Sequence, residues 1–228
     1  MRRLLALAPC AAAFALLTPA QTPEKPISPL VGVYIDFDHV PEAVSVETMK
    51  RSVEHILKPS GIKLAWRSTT ENHGTETFSD LAVLKFQGRC RAEAPAPASD
   101  FGTLGETDAL AYTTVSRGRI LPYTKVQCDQ IRKALAYVAP GAGALQLKQA
   151  LGLALGRVVA HELYHILAQS ASHASEGLTK TSQLLRDLVS THELAFDETA
   201  SRAIRKRLLA RRQESAGGAA AGALLRQN

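Results

Sequence analysis

The chain has 228 residues, 46% of them hydrophobic, with a formal net charge of +6 at pH 7 and only 5% aromatic residues. That length, without an internal repeat, predicts one domain with a sizeable core and excludes a repeat array. The cationic excess is modest and unaccompanied by interleaved aromatics, so no nucleic-acid partner is expected.

Arg2 and Arg3, an apolar run from Leu4 to Leu17, and Thr18-Pro19-Ala20 before Gln21 have the layout of a secretory signal peptide over 1–20. Cleavage is expected near Ala20, giving a secreted or periplasmic protein. The run falls short of the roughly 20 apolar residues that a membrane span needs, so no stable span is expected. Cys10 lies inside it, and Pro9 just before argues against lipoprotein processing.

From Gln21 to Pro29 the proline spacing reads as an extended lead-in. Val31, Val33, Ile35 and Phe37 then alternate with smaller or polar residues, the period of a strand. Pro41 to Lys58 suits a helix with Val46, Met49, Val53, Ile56 and Leu57 on its apolar face, and Pro59-Ser60-Gly61 stops it. Ile62, Leu64 and Trp66 supply the next strand. This order predicts a parallel β-α-β opening with a right-handed crossover.

Leu81 to Phe86 reads as a third strand, and the Ala- and Pro-rich stretch Arg91 to Gly105 as a surface loop. Leu110 to Val115 and Ile120 to Val126 form a predicted hairpin around Ser116-Arg117-Gly118-Arg119, with Pro122 assigning the second arm to a sheet edge. Asp129 to Val138 is a predicted helix, and Pro140-Gly141-Ala142-Gly143 separates it from the next one. In that helix Leu151, Leu155, Val158, Val159, Leu163, Ile166 and Leu167 recur at helical spacing. Gly152 and Gly156 cost roughly 1 kcal/mol each relative to alanine, an outlay consistent with close packing of this helix on a sheet.

At the edge of that apolar surface stands His161-Glu162-Leu163-Tyr164-His165. A four-residue spacing puts two imidazoles on one helix face, within reach of one metal ion. Glu162, one position after the first histidine, leans toward the same site and is placed to take a proton from water rather than to bind metal. This HExxH pattern points to zinc-assisted hydrolysis. A hydrolytic zinc has three protein ligands and one open position. His173 follows in Ala168 to Gly177, a small polar stretch that reads as the helix end and a turn, and is the expected third ligand. Glu193 is the competitor, with Asp197 four residues on. Asp197, however, also suits the N-cap of a last helix in which Ala200, Ile204 and Leu208 form one stripe.

Arg202, Arg205, Lys206, Arg207, Arg211 and Arg212 on that last helix read as a solvated face. Ala216 to Asn228 is Gly- and Ala-rich and is expected to be a flexible tail, leaving 21–214 as the folded domain and 215–228 outside it. Once the leader is removed, Cys90 and Cys128 remain. An even pair fits one bridge in an oxidising compartment, and equally fits two free thiols.

The pattern His161-Glu162-x-x-His165, seven residues, His173, then Gly177-Leu178 resembles a group of bacterial secreted zincins related to the metzincins. Gly61-Ile62-Lys63-Leu64-Ala65-Trp66 is similar to the end of that family's opening β-α-β unit, so the likeness spans most of the mature chain. It implies an α+β, zincin-like fold: a small mixed sheet with an edge strand, packed on the active-site helix and followed by a C-terminal helical subdomain. It also implies Zn²⁺ held by His161, His165 and His173, Glu162 as general base, and a peptide or protein substrate added to the edge strand. Thr179 stands where such relatives carry the methionine of the turn beneath the metal, and metzincins proper place their third histidine six residues after the second; the likeness is therefore metzincin-like. Tyr164, Tyr123 and His192 are candidates for steadying a developing oxyanion, with Tyr164 better explained by core packing. A secreted binding protein of this fold, or a hydrolase of non-peptide amides, is the alternative reading of the same residues.

Overall fold

The computed structural model describes residues 28–71, 76–92, 109–138, 141–174, 177–180, 185–190 and 194–225. The expected signal peptide at 1–20, most of the expected Ala- and Pro-rich loop, and the candidates His192 and Glu193 lie outside the described residues.

The described residues form an α+β fold in which five strands and four α-helices follow the order β1 (Leu30–His39), α1 (Ala43–Leu57), β2 (Lys63–Ser68), β3 (Asp80–Arg89), β4 (Ala111–Ser116), β5 (Arg119–Gln127), α2 (Cys128–Val138), α3 (Ala144–Ala168) and α4 (Glu198–Leu225). The sheet order is β2-β1-β3-β5-β4. β1 pairs in parallel with both β2 and β3, β3 pairs in parallel with β5, and β4 alone runs antiparallel. The β1-α1-β2 opening thus forms the parallel pair expected of its sequence. Val31 and Val33 on β1, Ala82, Leu84 and Phe86 on β3, and Val126 on β5 are fully buried, which places the core on one face of the sheet.

α1 and α3 cover that face. Met49, Val53, Ile56 and Leu57 of α1 meet α3, whose residues from Leu151 to Leu167 are almost all buried except on the strip carrying His161. A helix that is apolar nearly all round must be enclosed on several sides. Here α1, the sheet, α2 and α4 supply the enclosure. Gly152 and Gly156 make the closest approach possible, but against α1 rather than the sheet. A Cβ at Gly152 would stand 2.5 Å from the Ser45 carbonyl oxygen, and one at Gly156 2.6 Å from Cβ of Ser52. The expectation of glycine-assisted packing on a sheet is corrected to helix on helix.

The hairpin brings a second correction. Arg117 (φ 49°) and Gly118 (φ 74°) make a two-residue loop with both residues left-handed, the geometry whose twist matches a β-hairpin. The edge, however, is the first arm, β4, because β5 is sandwiched between β3 and β4. Pro122 is tolerated inside the sheet for two reasons. β5 joins β3 only from Tyr123 onward, and its pairing with β4 shifts register between Thr113 and Val115, opposite Pro122. The missing N–H therefore falls where no ladder bond is required.

Cys90, just past β3, and Cys128, opening α2, form a disulfide with Cα atoms 4.9 Å apart. The parallel register that sets Gln87 beside Gln127 brings the two strand ends together, so the bridge closes where the strands already meet. Asp197 caps α4 as expected, its Oδ1 accepting from the Ala200 N–H at 2.6 Å. Ala200, Ile204 and Leu208 are buried against the body, and Arg205 donates to the Pro59 carbonyl at 2.6 Å. The helix continues to Leu225, through most of the stretch expected as a flexible tail. Alanine, the best helix former, recurs there and offsets the glycines. Among the described residues no helix is long and apolar enough to cross a membrane.

Candidate metal centre

His161, Glu162 and His165 project from the last two turns of α3, where the helix passes beneath β4. The helix ends at Gln169, which takes a left-handed conformation (φ 51°) and donates its side-chain amide to the Ile166 carbonyl at 2.9 Å and the Ile120 carbonyl at 3.2 Å. A non-glycine residue in that region costs of order 1 kcal/mol, which these bonds offset. The reversal brings the Ser170 carbonyl back onto His165 and carries His173 over the two helical imidazoles. Beyond it a tight turn, closed by Ala174 N–H on the Thr179 carbonyl at 3.0 Å, buries Leu178 and Thr179 against the base of the site.

The hydrogen bonds fix the tautomers. Nδ1 of His161 lies 2.7 Å from the Leu178 carbonyl, and Nδ1 of His165 lies 2.6 Å from the Ser170 carbonyl. A carbonyl only accepts, so each Nδ1 carries the proton and each Nε2 presents a bare lone pair. Those two Nε2 atoms face one another at 3.1 Å. Two bare lone pairs at that distance repel, and either a shared proton or a metal ion between them relieves the repulsion. With Zn–N bonds of about 2.0–2.1 Å, tetrahedral imidazole nitrogens sit roughly 3.3 Å apart, so the pair is already near coordination spacing. His173 completes the set: ligand atoms of the three histidines all lie within 4.8 Å of one another, close enough to bind one metal ion. The donor set of neutral imidazoles and the carbonyls behind two of them match the arrangement that orients metal-binding histidines.

Burial pushes His161 down to about 4, with the Leu178 carbonyl opposing and the neighbouring His165 and His173 assisting. His173, although exposed, is also lowered, first by desolvation and then by His165. Both changes keep the imidazoles neutral, the form that ligates.

Glu162 is buried beside the pair without joining it. Burial raises its pKa, and the Thr113 hydroxyl, the neighbouring His165 and the Thr113 backbone N–H partly counter that rise. Thr113 on β4 is 2.6 Å from Glu162 Oε2 and 2.7 Å from the hydroxyl of Thr124 on β5. Histidines, glutamate and strand together line a cleft of about 260 Å³ that is walled on its apolar side by Val115, Ile120 and Ala171.

The structure therefore brings together all four residues singled out from the sequence: His161, Glu162, His165 and His173. Tyr164 packs on Phe196 with ring centroids 5.7 Å apart, as its assignment to the core requires. Tyr123 sits on β5 beside Val83 of β3, away from the residues that line the cleft. Sequence reasoning missed Thr113, Thr124 and the two orienting carbonyls. A backbone carbonyl has no residue-type signature, and the threonines reach the site only through strand pairing. No protein-family model and no curated protein matches this chain.

Proposed function

We propose that the chain is a secreted zinc metallopeptidase of zincin-like fold. The observation that carries this reading is the convergence of two Nε2 lone pairs at 3.1 Å with a third imidazole closing over them and a buried carboxylate alongside. Three imidazoles suit zinc better than the oxygen-seeking cations, and three ligands leave one position open. Zinc bound there supplies a Lewis acid and lowers the pKa of a coordinated water to about 7.

The chain's own residues do the rest. Glu162 would serve as the base, taking a proton from the attacking water on a carboxylate oxygen and returning it to the departing nitrogen. His161 and His165 are held rigid by the Leu178 and Ser170 carbonyls, so the ligands need no rearrangement when substrate arrives. β4, the antiparallel edge strand above the cleft, offers backbone groups that are unpaired among the described residues to an extended peptide, and Val115 and Ile120 offer it apolar contact. The Cys90–Cys128 bridge supports an oxidising compartment, in keeping with export after cleavage near Ala20.

The test is metal analysis of the purified protein together with casein cleavage in the presence and absence of a chelator. The expected outcome is one zinc per chain and chelator-sensitive cleavage. Glu162→Gln should keep the zinc and lose roughly 10²- to 10⁴-fold in turnover. A Glu162→Gln protein that cleaves at the wild-type rate would overturn the mechanism.

A further inference from the structure

Resting on that reading of the site, we propose that Thr113 is a positioning residue that locks the Glu162 carboxylate and ties it to the strand that receives substrate, with Thr124 fixing the direction of its hydroxyl. The direction follows from donor counting. Glu162 acts as general base only as a carboxylate, which accepts and never donates, so the Thr113 hydroxyl must spend its one hydrogen on Oε2 at 2.6 Å. The contact between the two threonine hydroxyls, 2.7 Å long, then has a single possible donor, Thr124. The result is a one-way relay, Thr124 to Thr113 to Glu162.

Three further observations give the relay its purpose. Thr124 is fully buried, so water does not replace its hydroxyl. Thr113 and Thr124 are register partners on β4 and β5, which places both hydroxyls on the face turned toward α3. The ladder of those strands shifts immediately after Thr113, so Thr113 is the last residue of the regular pairing before the hairpin bends away. Oε2 of Glu162 is thereby occupied by the hydroxyl, and the Thr113 backbone N–H bears on the same carboxylate, so one residue of β4 holds the group twice. Because β4 is the strand to which an extended peptide adds, seating a substrate and aiming the base depend on the same residue.

The experiment compares Thr113→Val, Thr113→Ser and Thr124→Val in the full-length mature protein, each also in the Glu162→Gln background. Zinc content and casein-derived peptide kinetics are measured for all. The half-buried Thr113 hydroxyl proton is followed by NMR in the wild type and in Glu162→Gln. A hydrogen bond to a charged group corresponds to about tenfold or more, so Thr113→Val should lower kcat by that factor with KM and zinc content little changed. Thr113→Ser should restore kcat to within about threefold, and Thr124→Val should fall between them. In the Glu162→Gln background Thr113→Val should have no further effect, because its influence passes through the carboxylate. A Thr113→Val protein with wild-type kcat overturns the proposal; so does a loss of equal size in both backgrounds, or a change confined to KM. Should the wild-type chain cleave nothing, the peptidase reading falls separately. The hydroxyl resonance then decides: a slowly exchanging signal that shifts in Glu162→Gln supports the lock, and its absence refutes it.

Discussion

Two of the three imidazoles ride on α3, whereas the third rides on the loop that follows it. The helix that carries the pair is enclosed, with Gly152 and Gly156 against α1 on one side and the sheet on another, and the pair stands on its one open strip. Each of those rings has its far nitrogen held by a backbone carbonyl. His173 is exposed, and its place is set by the left-handed turn at Gln169 and the closure between Ala174 and Thr179. One half of the site is therefore fixed by the body of the fold, and the other by the local geometry of an exposed loop. The difference teaches a division of labour: the helix sets the spacing of two rings, and the loop supplies the ring that closes over them.

Removing one ring from each half sharpens that contrast. Binding energies of about 10–16 kcal/mol for four-ligand structural zinc correspond to roughly 3–4 kcal/mol per ligand. His165→Ala should therefore weaken zinc binding by about 10²- to 10³-fold, while His173→Ala, which forfeits a solvent-exposed ligand on a loop, should cost several-fold less. Competition with a zinc-responsive chelator measures both, and equal losses would erase the distinction between the halves.

The next largest effect probes the scaffold without touching the site. The bridge between Cys90 and Cys128 spans a sequence separation of 38, for which chain entropy predicts about 3–4 kcal/mol of stability. The Cys90→Ala, Cys128→Ala double variant should lose that much in urea unfolding while binding zinc with unchanged affinity, since the bridge lies at the sheet end near α2 rather than at the histidines.

Gly156→Ala gives the smallest change and tests why the helical half is rigid. The substitution gains about 1 kcal/mol of helix propensity but drives a methyl group against Ser52 and the Met49 carbonyl, an overpacking that costs about 1–3 kcal/mol. The expected result is net destabilisation of up to about 2 kcal/mol by thermal or urea melting. A stabilised variant would show that α1 and α3 can separate without penalty.

The site was legible to an unusual degree because its core is local. His161, Glu162 and His165 are related by helical spacing, a relation that sequence displays directly. His173 was legible by proximity along the chain, and its convergence on the pair is seen at ligand-atom separations within 4.8 Å. Asp197 was legible as a cap for the same local reason. What could not be read was everything that depends on which strand lies beside which. Pro122 suggested an edge for the second hairpin arm, yet the position of its missing N–H in a register shift let β5 sit inside the sheet. Gly152 and Gly156 announced close packing without naming the partner.

The sequence by itself determined the periodic elements, the spacing of the helical histidines and the chemistry those side chains offer, because each depends on residues within a few positions of one another. Only the tertiary structure decided that Cys90 meets Cys128, that β4 is the free edge above the cleft, that Thr113 reaches Glu162, and that the Leu178 and Ser170 carbonyls turn two Nε2 lone pairs inward. The physical reason is common to the strand-borne contacts: they join residues far apart in the chain through parallel pairing and helix docking. The carbonyl contacts are shorter-ranged, but a backbone oxygen carries no signature in the residue that bears it.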